Sequence, residues 1–178
     1  MSKSNMWIFT GLKIVAWVIF VGLCIEAGGL LVNFFFSIYK PEFVDRLYQK
    51  IDLSKMYAYS KWAFFSMYSF ALAISLLKAV LFYAVILLVT NMNLAAPFNE
   101  YVSKKIGQIS YYSFSIGLLS YIARQSAKNL THRGLDTDVL NQFWGDSEAF
   151  VLMAAVIYVI ATIFKRGIYL QNENDLTV

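Results

Sequence analysis

The sequence has very few residues of the types that bind metals or form disulfides. It contains one cysteine, Cys24, and one histidine, His132. A single cysteine cannot form a disulfide within the chain. Zinc sites, iron–sulfur clusters and bis-histidine haem each need more cysteine or histidine ligands than this chain provides. We therefore expect no metal and no other cofactor in this protein.

Charged residues are also scarce. They make up 15% of the 178 residues, whereas hydrophobic residues make up 59%; an ordinary globular domain is about 25% charged. The net charge is +4, and the basic residues are spread over the ends and connections of the chain. A nucleic-acid-binding protein concentrates its basic residues in a patch, so we expect no direct contact with nucleic acid. The sequence also contains no recognisable set of nucleophile and base, and we expect no enzymatic activity.

The hydrophobic residues are concentrated in four blocks, at about 12–38, 58–90, 106–124 and 143–165. A helix needs roughly 20 apolar residues to cross the hydrocarbon core of a bilayer. The first two blocks meet this length, the fourth nearly does, and the third needs residues from its flanks. The sequence therefore predicts an all-α fold, an integral membrane four-helix bundle that forms a single domain over 1–178 and has the lipid bilayer as its partner.

The segments outside the four blocks carry weaker patterns. Phe43, Leu47 and Ile51 recur at helical spacing after Pro41, which is typical of an amphipathic helix at the membrane interface; a solvated connector is the alternative. Residues 167–178 form a polar C-terminal tail. Four crossings place both termini on one side of the membrane. The basic residues divide too evenly between the two sides for the positive-inside rule to decide, and we expect the termini to be cytoplasmic.

Lys78 is the one charge in the stretch from Trp62 to Val89. It lies near the centre of that stretch, where an unpaired charge costs at least about 2.5–3.5 kcal/mol, so a partner is expected. Glu26 is the one acidic residue in the first block and lies at its centre. Consecutive antiparallel helices bring two central residues to the same depth. We therefore predict an ion pair between Glu26 and Lys78.

Small and polar residues accompany these charges at helical spacing. Small residues let two helices approach closely, and polar ones bond across their interface. The residues that the pattern predicts for helix packing are Gly22, Gly29, Ser75 and Gly117. The predicted polar residues of the membrane interior are Glu26, Lys78, Asn33 and Arg124.

Two interpretations of the polar residues stay open. In the structural one, Glu26 and Lys78 form a buried pair that fixes the register of two helices. In the functional one, the pair lines a polar pocket, a proton path or a ligand site, since ionisable residues inside a membrane commonly have such roles. A third arrangement has no contact between them, with Lys78 facing water or another subunit of a homo-oligomer.

Two stretches carry a resemblance to a known family: "APFNEYVSKKIGQIS" at 96–110 and "FKRGIYLQNENDLTV" at 164–178. Together with the length and the four-helix layout, they resemble the domain of unknown function 2975 family of small bacterial membrane proteins. Its proline–phenylalanine step corresponds to Pro97 and Phe98, and its glycine and Leu-Gln-x-Glu-x-Asp-Leu-Thr-Val-like tail to Gly167 and 170–178. The resemblance implies a location in the bacterial cytoplasmic (inner) membrane. Family genes often lie beside one for a small helix-turn-helix regulator, which implies a cytoplasmic partner of that kind. The resemblance assigns no catalytic residues.

The function that these features favour is that of a non-enzymatic sensor or regulatory partner of a helix-turn-helix transcription regulator. The predicted docking tail comprises Gln171, Glu173, Asp175, Leu176 and Val178. Packing of the tail against the loop before the third transmembrane helix is the alternative. The second functional interpretation is a small transporter or channel subunit, in which Glu26, Lys78, Asn33 and Arg124 line a polar path.

Overall fold

The computed structural model describes residues 3–40, 42, 44, 47, 51–93 and 97–175, apart from the side chains of residues 3–6, 174 and 175. Regular structure in this part of the chain is helical throughout, which confirms the predicted all-α fold. The elements in chain order are α1 (Lys3–Tyr39), α2 (Ser54–Tyr59), α3 (Lys61–Asn91), α4 (Glu100–Thr131), a 3-10 turn (Asp138–Leu140), α5 (Asn141–Trp144) and α6 (Ser147–Asp175).

Three of the described segments are long and apolar enough to cross a membrane: Trp7–Tyr39, Lys61–Asn91 and Asp138–Glu173. They contain the first and fourth predicted blocks and all of the second except residues 58–60. The third block lies inside α4, which at 32 residues is long enough to cross but carries more polar residues. Ser110, Ser113 and Ser120 of α4 are all buried. Because α4 packs between α3 and α6, these hydroxyl groups lie against protein rather than lipid.

The four long helices pack in the order α1, α3, α4, α6. The Phe20 ring packs against Tyr83 in a tilted arrangement, and the Phe34 ring meets Phe65 edge to face, so α1 and α3 run in opposite directions. The hydrogen bond from Asn91 to Tyr101 joins the end of α3 to the start of α4.

Helices α4 and α6 are also antiparallel. Ser110 of α4 bonds to Ala154 of α6, and Phe98, just before α4, packs on Phe164 near the end of α6. The N-terminal end of α1 and the C-terminal end of α6 therefore lie at the same end of the bundle. The outer helices α1 and α6 carry many of the exposed large apolar side chains, which suits them to contact lipid.

The connection between α1 and α2 packs into the bundle. Among its described residues, Glu42 and Val44 have 3-10 conformation, and Leu47 and Ile51 have no regular structure. Val44, Leu47 and Ile51 are each at most 4% exposed and belong to the hydrophobic core. The rest of the predicted amphipathic helix lies outside the described residues. The apolar side chains of this segment that are described thus contact protein rather than a membrane interface.

The second predicted block is divided into two helices by a break at Ser60. The Ser60 side chain accepts a hydrogen bond from the Ala63 N–H at 3.3 Å, which is the usual arrangement at a helix N-cap. Before α2, the Asp52 carboxylate accepts a hydrogen bond from the Ser54 N–H at 2.9 Å. Hydrogen bonds from Ser54 lower the pKa of the exposed Asp52 carboxyl.

The C-terminal helix is longer than predicted. The predicted polar tail at 167–178 is part of this helix as far as Asp175. Helix α6 continues without a break to Asp175. Gly167 lies inside this helix and does not end it. The Phe98 ring packs against the glycine, and a Cβ atom here would lie 2.9 Å from that ring. Hydropathy marks the end of the apolar part, but polar residues can continue a helix in water.

The closest approach of two helices that the glycines reveal is at Gly117. A Cβ atom on this residue would lie 2.6 Å from Val151 Cγ2 and 3.0 Å from the carbonyl oxygen of Ser147. We expect Gly117→Ala to destabilise the protein by about 1–3 kcal/mol, because α6 must move to accept the methyl group. The measurement is the free energy of unfolding in mixed detergent micelles titrated with a denaturing detergent.

The matched control is Gly22→Ala. Gly22 lies in the exposed face of α1, with no atom within 4 Å of the corresponding Cβ position. This substitution should leave stability unchanged or slightly raised, since alanine is the better helix former. Equal effects at the two glycines would contradict close packing at Gly117.

Candidate functional site

Lys78 lies in the middle of α3 and donates a hydrogen bond from Nζ to the carbonyl oxygen of Phe143 at 3.0 Å. Phe143 belongs to α5, a helix of only four residues that ends at Trp144. The last carbonyl groups of a helix have no donor within that helix, and lysine side chains can supply one. Lys78 therefore caps the C-terminal end of α5, at the break before α6.

Aromatic side chains surround this contact. The Lys78 ammonium lies 5.9 Å from the centre of the Phe150 ring in α6, a distance suited to a cation–π interaction. Phe143 and Trp144 are at most 2% exposed, so α5 is anchored by buried apolar surface. The indole nitrogen of Trp144 and the hydroxyl of Ser113 are buried with no hydrogen-bond partner among the described residues. The surroundings of Lys78 are thus largely apolar, with a few buried polar atoms.

Glu26 binds α1 to α3 through a different contact. Its carboxylate accepts a hydrogen bond from the hydroxyl of Ser75 at 2.8 Å, and Ser75 is fully buried. Four residues further along α1, the carbonyl oxygen of Leu30 accepts a hydrogen bond from the Tyr68 hydroxyl at 3.1 Å. These two polar contacts fix the register of α1 on α3.

The predicted ion pair between Glu26 and Lys78 is therefore corrected. Among the described residues, no hydrogen bond or ion pair joins their side chains: Glu26 binds Ser75, and Lys78 binds a backbone carbonyl. The two charges are still near neighbours, since Ser75 precedes Lys78 by about one turn of α3. Glu26 and Asp146 are the acidic side chains whose charges act on the ammonium group. The sequence correctly predicted that the two residues lie at a similar depth. It did not predict which groups they bind.

Arg124 bonds to Glu148 of α6 through both of its terminal nitrogens. The Ser147 hydroxyl also donates a hydrogen bond to the Glu148 carboxylate, at 3.0 Å. The sequence prediction did not include Glu148 as a partner. The sequence does carry a signal for this pair, because Arg124 ends the third apolar block and Glu148 lies near the start of the fourth, and antiparallel helices bring these two ends together.

The predicted polar set is not brought together in one pocket. Asn33 is half-buried in α1, roughly 10 Å along the helix from Glu26 at 1.5 Å per residue. Its backbone carbonyl accepts a hydrogen bond from the Ser37 hydroxyl at 2.7 Å. Glu26, Lys78 and Arg124 bind three different partners on three different elements. In the part of the chain that the structure describes, no group of three or more His, Cys, Asp and Glu side chains is placed to hold a metal ion.

The predicted packing residues also differ from one another. Gly117 and Ser75 are buried between helices, and Gly29 is half-buried. Gly22 is exposed and has open space around it, so its predicted packing role is corrected. The difference follows from the helix face: the contacts of α1 with α3 run through Phe20, Glu26 and Leu30 rather than through Gly22.

The predicted docking tail lies on the last turns of α6. Gln171 and Glu173 are exposed, and Asp175 is the last described residue of α6. Leu176 and Val178 lie outside the described residues. The loop before α4 packs through Phe98 against Phe164 and Gly167, which precede the tail.

Two grooves lie between α4 and α6, with volumes of about 650 and 540 Å³. Neither lining includes Glu26, Lys78, Asn33 or Arg124. The predicted polar residues therefore do not border the large open spaces on this side of the bundle.

Comparison with known proteins gave one match. A family model described as "Protein of unknown function (DUF2975)" matches residues 48–178, a range that contains α2 to α6 and therefore Lys78, Phe143 and Arg124. Searches of curated proteins and of solved structures gave no match to the chain.

A comparison of variants distinguishes the Lys78–Phe143 hydrogen bond from a direct Glu26–Lys78 ion pair. We expect Lys78→Met to lower the free energy of unfolding by about 1.5–3 kcal/mol, because the Phe143 carbonyl loses a charged donor. Glu26→Gln should cost less, since the glutamine oxygen can still accept the Ser75 hydrogen bond. The double variant should be no more stable than Lys78→Met alone, because no direct bond joins the two side chains.

Unfolding by denaturing detergent in mixed micelles measures all three variants. If adding Glu26→Gln to Lys78→Met restored stability, a stranded carboxylate would be responsible. That result would mean that Glu26 and Lys78 do form a direct pair.

Proposed function

The chain belongs to the DUF2975 family of proteins of unknown function, and on that premise we propose that it is a non-enzymatic protein of the bacterial cytoplasmic membrane that regulates a cytoplasmic helix-turn-helix transcription regulator. The observation that carries the proposal is the continuity of α6, which extends from the buried junction beside Lys78 to Asp175. One helix thus connects the interior of the bundle to its end.

The outer part of α6 is suited to contact a protein. Beyond Lys165 and Arg166 the helix continues to Asp175, a length of roughly 14 Å at 1.5 Å per residue. Tyr169 and Leu170 are exposed apolar residues, and the polar residues of the predicted docking tail follow them. Exposed aromatic and aliphatic side chains with a polar rim are typical of protein interfaces. We assign the cytoplasmic partner to this surface.

The inner end of α6 is suited to respond to a signal. Its first residue, Ser147, is buried and follows α5 by a turn of two residues, Gly145 and Asp146. The Lys78–Phe143 hydrogen bond holds the end of α5 in place. A ligand or membrane state that broke this bond would release α5 and allow α6 to move, and a rigid helix would carry the movement to its far end.

The positions of the polar residues favour regulation over transport. Glu26, Lys78 and Arg124 each bind a separate partner, and the two grooves between α4 and α6 are not lined by them. A transport path would need these groups to face one continuous space.

The first test disrupts the helix of the tail while keeping its other residues. Proline in a helix interior removes a hydrogen bond and costs about 3 kcal/mol or more, so Asn172→Pro should abolish co-purification of a helix-turn-helix protein with the full-length membrane protein. Asn172→Ala, which favours the helix, should retain it. Mass spectrometry of the retained proteins identifies the partner.

Two results would contradict the proposal. One is that both variants retain the same DNA-binding protein equally, which would place the contact elsewhere. The other is that the wild-type protein retains no DNA-binding protein when a helix-turn-helix regulator of the same organism is co-expressed with it.

A second test concerns orientation. With the termini in the cytoplasm, green fluorescent protein fused after Val178 should fluoresce, and alkaline phosphatase fused there should be inactive. The same phosphatase inserted after Arg133, at the opposite end of α4, should be active. The reverse pattern would place the docking surface outside the cytoplasm and would exclude a cytoplasmic partner.

A further inference from the structure

The two grooves between α4 and α6 form one continuous feature, which we call the α4–α6 groove. Their linings share Phe114, Val151 and Ala155. From Glu148 to Lys165, the residues of α6 at its two ends, the groove extends roughly 25 Å at 1.5 Å per residue. That length is close to the thickness of a bilayer hydrocarbon core, about 30 Å. An acyl chain spans one leaflet, about half of that core, so the groove is long enough to hold one.

The middle of the α4–α6 groove offers apolar surface. Small residues open it: Gly107 has no atom within 4 Å of its Cβ position, and Ala155 and Ala161 lie on the α6 side. Two of its hydroxyl groups are used within the protein, since Ser110 donates to the Ala154 carbonyl and Thr162 to the carbonyl one turn before it, each at 2.9 Å. An acyl chain that lies here would leave the Ser110 and Thr162 hydroxyls paired.

One end of the groove carries positive charge. Ser103 and Lys165 line it, and Lys104 and Arg166 are their exposed neighbours in sequence. Lys105 lies close by, bonded to Gln108 at 3.0 Å. Glu100 lies about one turn away on α4, and Glu173 and Asp175 lie two turns or more beyond Lys165 on α6, past the end of the groove. Basic groups therefore prevail beside Ser103 and Lys165. Clusters of lysine and arginine at the membrane surface attract anionic lipids.

We propose that the α4–α6 groove binds one anionic phospholipid. Its phosphate group lies at Lys165 and Ser103, and an acyl chain follows the groove past Phe114 toward Glu148. A second copy of this chain fits the groove less well. In a dimer with its two-fold axis along the membrane normal, the basic ends of both subunits would meet at the same level, and like charges disfavour such an interface.

The experiment is native mass spectrometry of the full-length protein in a neutral detergent, titrated with phosphatidylglycerol or with phosphatidylcholine of the same acyl chains. One phosphatidylglycerol should bind per chain, and more tightly than phosphatidylcholine. Lys165→Gln should weaken phosphatidylglycerol binding about fivefold and leave phosphatidylcholine binding unchanged. Gly107→Leu should weaken both, because its side chain fills the groove.

The chain offers a matched control for each change. Lys13→Gln removes a lysine from α1 at the same end of the bundle, and Gly22→Leu adds the same side chain to an open position on α1; neither should alter lipid binding. Lys165→Arg, which keeps the charge, should bind as the wild type does and shows that the effect of Lys165→Gln is not misfolding.

Three outcomes would overturn the proposal. Equal affinity for the two lipids, unchanged by Lys165→Gln, would show that the groove does not recognise an anionic headgroup. Lipid binding unaffected by Gly107→Leu would place the lipid elsewhere. A dimer that Gly107→Leu converts to a monomer, with lipid binding unchanged, would identify the groove as an interface between subunits.

Discussion

The hydrogen bond from the Lys78 ammonium to the Phe143 carbonyl is the contact on which the interior of this protein depends. An unsatisfied backbone group in hydrocarbon costs several kcal/mol, and so does an unpaired charge near the bilayer centre. A break between α5 and α6 creates the first problem, and a lysine in α3 creates the second. The hydrogen bond gives the carbonyl a donor and the ammonium an acceptor, and Glu26 and Asp146 supply the opposing charge. A short helix can therefore end inside the bundle and a new one can begin.

The first turn of α6 is held from two sides as a result. On the α3 side, Lys78 fixes the preceding helix, and its ammonium also lies against Phe150. On the α4 side, Gly117 lets the backbone of α6 approach closely, and Arg124 bonds to Glu148. Since α6 then continues as one helix to Asp175, a movement of its first turn would also move its C-terminal end. The proposed regulatory role rests on that continuity, whereas the proposed lipid site rests on the groove alone.

The sequence predicted the helices well because their signal is local: apolar blocks of sufficient length form helices in a membrane whatever their neighbours do. It also identified Lys78 as a residue that needs a partner. It could not identify the partner, since a backbone carbonyl is present at every residue and only a helix end makes one available. The break before α6 was missed because Phe143 and Trp144 are as apolar as the helix that follows. The helical tail was missed for the opposite reason, since hydropathy falls at Lys165 while the helix continues.

The most direct test of the central claim is hydrogen–deuterium exchange, followed by mass spectrometry, on the wild type and Lys78→Met in the same micelles. If Lys78 holds the end of α5, the substitution should speed exchange of the amides in 135–150 and leave the paired segments of α1 and α3 unchanged. Lys104→Met, at an exposed position of α4, is the control and should change neither region. Unchanged exchange over 135–150, or faster exchange confined to α1 and α3, would contradict the account and place the main contact of Lys78 on the side of Glu26.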